Sequence, residues 1–566
     1  MANFTVSPGV SLNEIDNTFL TSEPVQAGAA IVGPTVKGPI ETPVKVTSYG
    51  EYTTMFGDVI ESGSQNYSYL TSIAAYNYFN YGGESLLVTR VVTGSFTSAT
   101  SSAIPGTNET NVFTLETISE GTLMNTGASG TGGALATGTK DNVRWEVTTS
   151  NTSSGTFSLL IRRGDDITNK KIILESFNNL SLDPNSNNYV AKAIGDQKLT
   201  YDSVNNQMAV TGDYTNNSRF VRVKSVNNST PNYLDANGTA VTAFTGSIPT
   251  VGNGVFGTAT GAPFPARAGK FYQNIDATDS QGLTGTNYTN AISLLSNTDD
   301  YKFNVLFTPG LTDESHTAQI TSIITNTQNR GDNLFVYDTV NYGSTVTTAV
   351  GKSSTRDSSY AATYWPWVRI SDPATGKLVF VPASTMIPGV YAFNDKTAAP
   401  WFAPAGINRG GLNSVISAEY KLTQANRDTL YEANINPIAT LPRTGVVVYG
   451  QKTLQKAASA LDRVNVRRLL IELKSFIGQI AETVVFEQNT IVTRGSFLAK
   501  VNPFLEGIQQ KQGLFAFKVV IDDSNNGPDV IDRNQLVGQI YIQPTRTAEF
   551  ISLDFILEPT GAEFPG

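Results

Sequence analysis

The sequence predicts a multidomain chain of the α/β and α+β classes with one or two all-β domains inserted into it. Three observations carry this. From residue 291 onward, short apolar strands alternate with helical stretches, the pattern of a mainly parallel sheet. From Thr93 to about Asn290 the chain turns to Thr, Ser, Asn and Gly, with short strand-like pieces at 143–147, 157–162 and 220–223. From 464 to 486, apolar residues recur at three- and four-residue steps, as on one face of a helix. At 566 residues, roughly three or four domains are expected.

Residues 3–16 give two short strand signals, Phe4/Val6 and Val10/Leu12, around Pro8-Gly9. No partner strand follows at hairpin distance, so this arm is either frayed or donated to a neighbour. Residues 29–32 and 44–46 read as strands between Gly-Pro breakers. Tyr69, Ile73, Tyr76 and Phe79 follow helical spacing up to Gly82-Gly83, and 86–92 is a buried strand. The Thr/Asn-rich stretch comes next; between Lys224 and Arg267 its only charged residue is Asp235. Strands are then expected at 303–308 and 334–337, with a helix between them to about Gln328.

The stretch WPWVRISDPATGKLVFVPASTMIPGVYAFNDKTAAPWFAPAGINRGGL (365–412) holds three of the four tryptophans, Trp365, Trp367 and Trp401. Aromatics of that size contribute most when buried, so it is expected to wall a core. Ser384 is placed to cap a short helix that Pro388-Gly389 interrupts. Helices at 464–486 and 495–511 and strands at 514–522, 536–543 and 549–558 complete the reading. Arg463, Arg467 and Lys474 fall on one helix face, and Arg468 is expected to pair with Glu472 at i,i+4. Residues 451–480 carry six basic residues against Asp462 and Glu472. Such a face is either solvated or turned to an acidic partner.

Composition bounds the function. Charged residues are 15% of the chain, below the usual ~25%, and net charge is −9. That sparse charge suits a surface hidden in an assembly, and the negative balance argues against nucleic acid and anionic membranes. With no cysteine there are neither disulfides nor thiolate metal sites. MANFTVSPGV has no secretory character and no apolar run approaches ~20 residues, so cytoplasmic folding without a membrane anchor is expected.

A hydrolase reading of the α/β part meets one histidine, His316, which is expected at the surface of a helix start. No G-x-S-x-G elbow occurs, and a Ser-His-Asp triad needs its base. GKSS at 351–354 lacks the glycines of a phosphate loop. Asp332, Asp338 and the Asp522-Asp523 pair read as turn formers; no metal, cofactor or catalytic residue is assigned.

PWV, VPAS, PGVYAFND and WFAPAGINRG resemble the best-preserved block of the contractile phage tail sheath proteins. SPGV with NEID, Phe56-Gly57, YFNYGG, TRV, ESFNNLSLDPNSNNYV at 175–190, NVRRLLIEL and VVFEQN resemble other parts of that family. The resemblance covers 3–92, part of 175–190 and nearly all of 301–566. It implies a discontinuous sheath core with a subtilisin-like α/β domain and a small α+β C-terminal domain. The implied domains are an extended arm (1–20), the first part of the core (21–93), inserted outward-facing β-rich domains (94–290), the subtilisin-like domain (291–450) and the C-terminal domain with its strand arm (451–566). It further implies a homo-polymer of rings or helical strands around a tail tube, with baseplate and tail terminator proteins as further partners. Such a subunit is assembled in the host bacterial cytoplasm, resides in the virion tail, and contracts to drive the tube through the host envelope. Arg463, Arg467 and Lys474 become candidate tube contacts. Phe4, Val6, Val10 and Leu12, with Ile551, Leu553, Phe555 and Leu557, become candidate inter-subunit strand arms. A bacteriocin-like injection sheath is the alternative; a hydrolase or a surface adhesin fits less well.

Overall fold

The computed structural model describes residues 25–62, 65–262 and 272–552. At its centre lies an eight-stranded sheet. The strand order is Val44–Val46, Leu86–Arg90, Val25–Gly33, Tyr301–Thr312, Leu334–Asp338, Ala361–Trp365, Ile435–Leu441 and Gly445–Val448. The six inner strands run parallel and the two outermost are antiparallel to their neighbours. Val25–Gly33 joins distant parts of the chain, with Ala29 level with both Leu86 and Val305.

Alternate residues of these strands enter opposite layers. Ile31, Val88, Phe307 and Val336 pack with the helices Tyr49–Phe56, Leu70–Asn80 and Ile387–Thr397. Ala30, Leu87, Leu306 and Phe335 pack with the helices Thr289–Leu294 and Thr317–Arg330. Burial on both faces is why the strands read as unbroken apolar runs.

Between Arg90 and residue 272 the chain makes an excursion with its own core. Two four-stranded antiparallel sheets share Phe113, Trp145, Phe157, Leu159 and Phe256. A separate hairpin, Lys198–Asp202 with Gln207–Thr211, reaches back so that Tyr201 and Met208 pack on the central core. That excursion's core runs from Ala99 to Ala259, whereas Tyr272, Ile275, Leu283 and Tyr288 belong to the central clusters. The expected boundary at 290 therefore falls too late, because the short helix before it has no apolar periodicity to betray it.

Other expectations need correction. Pro388 opens the helix Ile387–Thr397 instead of interrupting one; its missing N–H costs nothing in a first turn. The helix Tyr49–Phe56 is additional to the expected elements, although the Ser48 hydroxyl accepts from the Glu51 N–H as an N-cap at 3.1 Å. Trp365 and Trp367 are buried, while Trp401 is half-buried and donates its indole N–H to the Lys511 carbonyl at 3.0 Å.

Candidate functional site

The C-terminal unit is a helical pair carrying a hairpin. In the helix Val464–Glu482, Leu469, Leu473 and Ile480 meet Phe497, Val501, Leu505 and Ile508 of the helix Ile491–Gln510. The first helix stops at Glu482, short of the expected 486, and Phe486 sits at φ 71° in the turn between the helices. The strands Leu514–Val520 and Gln539–Pro544 pair antiparallel, Phe517 opposite Ile542 and Val519 opposite Ile540, with these four side chains against the helices. The opposite face is open: Tyr541 is 57% exposed, and Phe515, at a bulge, is 76% exposed. Among the described residues no third strand joins this sheet, so both outer edges are unpaired there. Apolar edge strands of that kind are templates for another chain.

After the hairpin the chain crosses the junction of the C-terminal and central units. The Glu549 carboxylate accepts from Tyr431 Oη at 2.7 Å, Gln451 Nε2 at 2.9 Å and Arg463 Nε at 2.8 Å. Burial alone would raise this carboxyl; the bonds from Arg463, Tyr431 and Gln451 outweigh it and hold its pKa below the usual value. The expected strand at 549–558 is not formed over its described residues, 549–552, and Ile551 is 78% exposed. Phe4, Val6, Val10, Leu12, Leu553, Phe555 and Leu557 lie outside the described residues.

The three basic residues do not share one solvated face. Arg467 is only 4% exposed; its guanidinium lies 3.9 Å from the Tyr360 ring centroid and donates to the Ser359 hydroxyl and, at 3.2 Å, to the Ser359 carbonyl. Burial pulls its pKa down despite Tyr360. Arg463 pairs with Glu549 and, at 3.1 Å, with Asp462. Lys474 is exposed and donates to Tyr360 Oη at 3.1 Å. Arg468 pairs with Asp395 at 2.5 Å and not with Glu472. A helix wheel could not show this, because the partners come from other elements packed on the helix.

The α/β part offers a carboxylate and a hydroxyl but no base beside them. Asp338, at the end of its strand, accepts from the Ser384 N–H at 3.0 Å and from the Ser384 hydroxyl at 2.5 Å. Full burial pushes its pKa up to about 7, against the pull of the Ser384 bonds. His316 is buried, contrary to expectation, and its Nδ1 accepts from the Thr312 N–H at 3.3 Å, within its own helix start. Burial lowers its pKa. Among the described residues no cluster of His, Cys, Asp and Glu is arranged to hold a metal ion, and no helix is long and apolar enough to cross a membrane.

Known proteins match these units. Residues 281–454 match the phage tail sheath protein central domain, and residues 456–558 match the phage tail sheath C-terminal domain. The tail sheath protein of Vibrio phage KVP40 is 42% identical over 185 residues, covering 33% of this chain and 28% of that protein. The tail sheath protein of Enterobacteria phage T4 is 41% identical over 185 residues, with the same shares of 33% and 28%. The match thus spans under a third of these relatives' length. A sheath tail protein from Listeria innocua is 10% identical with a TM-score of 0.52, covering 93% of this chain and 96% of that one, which shows a shared mixed α/β multidomain fold. With both sheath domain models aligned end to end on the central and C-terminal units, the chain belongs to the contractile phage tail sheath family.

Proposed function

We propose that this chain is the structural subunit of a contractile tail sheath, which polymerises around a tail tube and contracts to drive it through a host envelope. The observation that carries the reading is the two-stranded sheet Leu514–Val520/Gln539–Pro544, with both edges unpaired among the described residues and exposed apolar side chains on its outer face. Residues 1–16 and 549–558 carry alternating apolar patterns that suit such edges. Strand exchange between copies would link the polymer without any bond-breaking chemistry, and the energy of contraction would lie in subunit packing. In this reading the central unit is a subtilisin-like scaffold without a triad, and the β-rich excursion faces outward. Baseplate and terminator proteins would contact the ends of the polymer. Of the three candidate tube contacts, Lys474 has an exposed head, whereas Arg463 and Arg467 would first have to leave partners inside the subunit.

Electron microscopy of the purified protein is the direct test. Tubular polymers of regular repeat are expected. A monomer that stays dispersed at high concentration, with or without tube protein, would overturn the proposal.

A further inference from the structure

Strand donation by the C-terminal end, on which this inference rests, requires residues 553–566 to leave the subunit from a fixed place. Secondary structure does not fix it, since 545–552 form neither helix nor strand. One carboxylate does. Its three donors come from separate places: Tyr431 from the helix Gln424–Glu432, Gln451 from the loop after the strand Gly445–Val448, and Arg463 from the start of the long helix. Gln451 Nε2 also donates to Thr547 Oγ1 at 2.7 Å, so the segment is held at alternate residues. Charge-assisted bonds of this kind are roughly twice as strong as neutral ones. Directly beyond the carboxylate the side chains turn to solvent: Phe550 and Ile551 are 83% and 78% exposed.

We propose that Glu549 is a positioning residue that moors the C-terminal segment at the junction of the two units and aims the residues beyond it toward a second copy of the chain. Mooring acts through the unassembled subunit. A tether fixed at residue 549 confines the donated residues to a smaller volume and range of directions than one hinged at the hairpin. That raises their effective concentration at the neighbour's sheet edge without adding a contact to it. It also keeps the segment from folding back onto its own hairpin, where it would occupy the edge that a neighbour needs.

Three full-length proteins separate this inference from the donation reading: wild type, Glu549→Ala, and Leu553→Asp/Phe555→Asp. For Glu549→Ala we expect an unchanged melting temperature and a critical concentration for polymerisation raised on the order of tenfold. We expect no polymer from the double variant. If the double variant polymerises normally, donation fails and mooring fails with it. If it does not polymerise while Glu549→Ala assembles like wild type, mooring alone is overturned. Hydrogen exchange on the wild-type monomer gives a readout independent of assembly. Residues 547–549 should exchange more slowly than an unstructured segment, and exchange at the unstructured rate would also overturn mooring.

Discussion

Asp338 is a carboxyl whose proton the folded state favours. Its folded pKa of about 7 lies above the ~3.9 of an unfolded aspartate. The proton's contribution is therefore complete below about pH 4 and is lost as pH rises towards 7. Asp338→Asn can keep both bonds to Ser384 while removing the charge. Relative to wild type it should be near neutral at pH 4 and more stable at pH 8, by up to about 4 kcal/mol. Urea melts at the two pH values check this, and an equal difference at both would sink it. Arg467 and Lys474 differ in the same physical way. Arg467→Glu places a carboxylate against the Ser359 carbonyl in a buried site and should cost about 3 kcal/mol or more. Lys474→Glu should change stability by less than ~0.5 kcal/mol, and if the tube contact is real it should weaken co-assembly with tube at low salt. Equal loss of stability in the two variants would mean that Arg467 is not held as described.

At the scale of elements, the C-terminal hairpin has two faces with different duties. Leu505→Ala removes a fully buried side chain from the cluster that joins both helices to the hairpin, and should cost about 2–5 kcal/mol. Phe515→Asp, on the open face, should leave the melting midpoint nearly unchanged and lower the yield of polymer. A large stability loss from Phe515→Asp would show that this face is already covered within the subunit. Elements of this kind are largely legible in the sequence. Leu334–Asp338 and Ala361–Trp365 announce themselves as apolar runs because helices cover both faces, and the stripe on Val464–Glu482 shows as a period. The helix Tyr49–Phe56 does not, since Gly50 and two threonines hide a helix that a single serine caps. The partners of Glu549 are invisible for a different reason. They lie 86 to 118 residues away along the chain, and a glutamate before a phenylalanine carries no mark of which cation it will meet.

For the whole molecule, the central core and the β-rich excursion meet largely through polar contacts. Lys37 Nζ lies 3.1 Å from the Asp141 carboxylate and donates to the Asp141 carbonyl at 3.2 Å, with both side chains at most 10% exposed. Arg90, fully buried, donates to the Gly38 carbonyl at 2.6 Å and across to the Glu120 carbonyl at 2.9 Å. Lys140–Asp58 at 2.6 Å and Arg219–Glu51 at 2.9 Å lie nearer the surface, and a cavity of about 220 Å³ separates the two bodies beside them. An exposed pair contributes ~0–1 kcal/mol, whereas a buried cation that loses its anion costs about 3–5 kcal/mol. Asp141→Ala should therefore destabilise the subunit by the larger figure. Burial already lowers the Lys37 pKa against the pull of Asp141, and without that carboxylate it falls further. The folded state then binds fewer protons than the unfolded chain, so the loss should be greatest near neutrality and shrink as pH approaches 10. Adding Lys37→Met to Asp141→Ala should restore most of the stability, because an apolar side chain leaves no charge to strand. Excising the whole excursion is a different perturbation. It hydrates Lys37 and Arg90 instead of stranding them, so a core with its flanks joined should fold and polymerise while Asp141→Ala alone weakens it. A loss under ~1 kcal/mol for Asp141→Ala would mean that water enters this seam freely and that the two bodies are held together by the Tyr201 and Met208 hairpin instead.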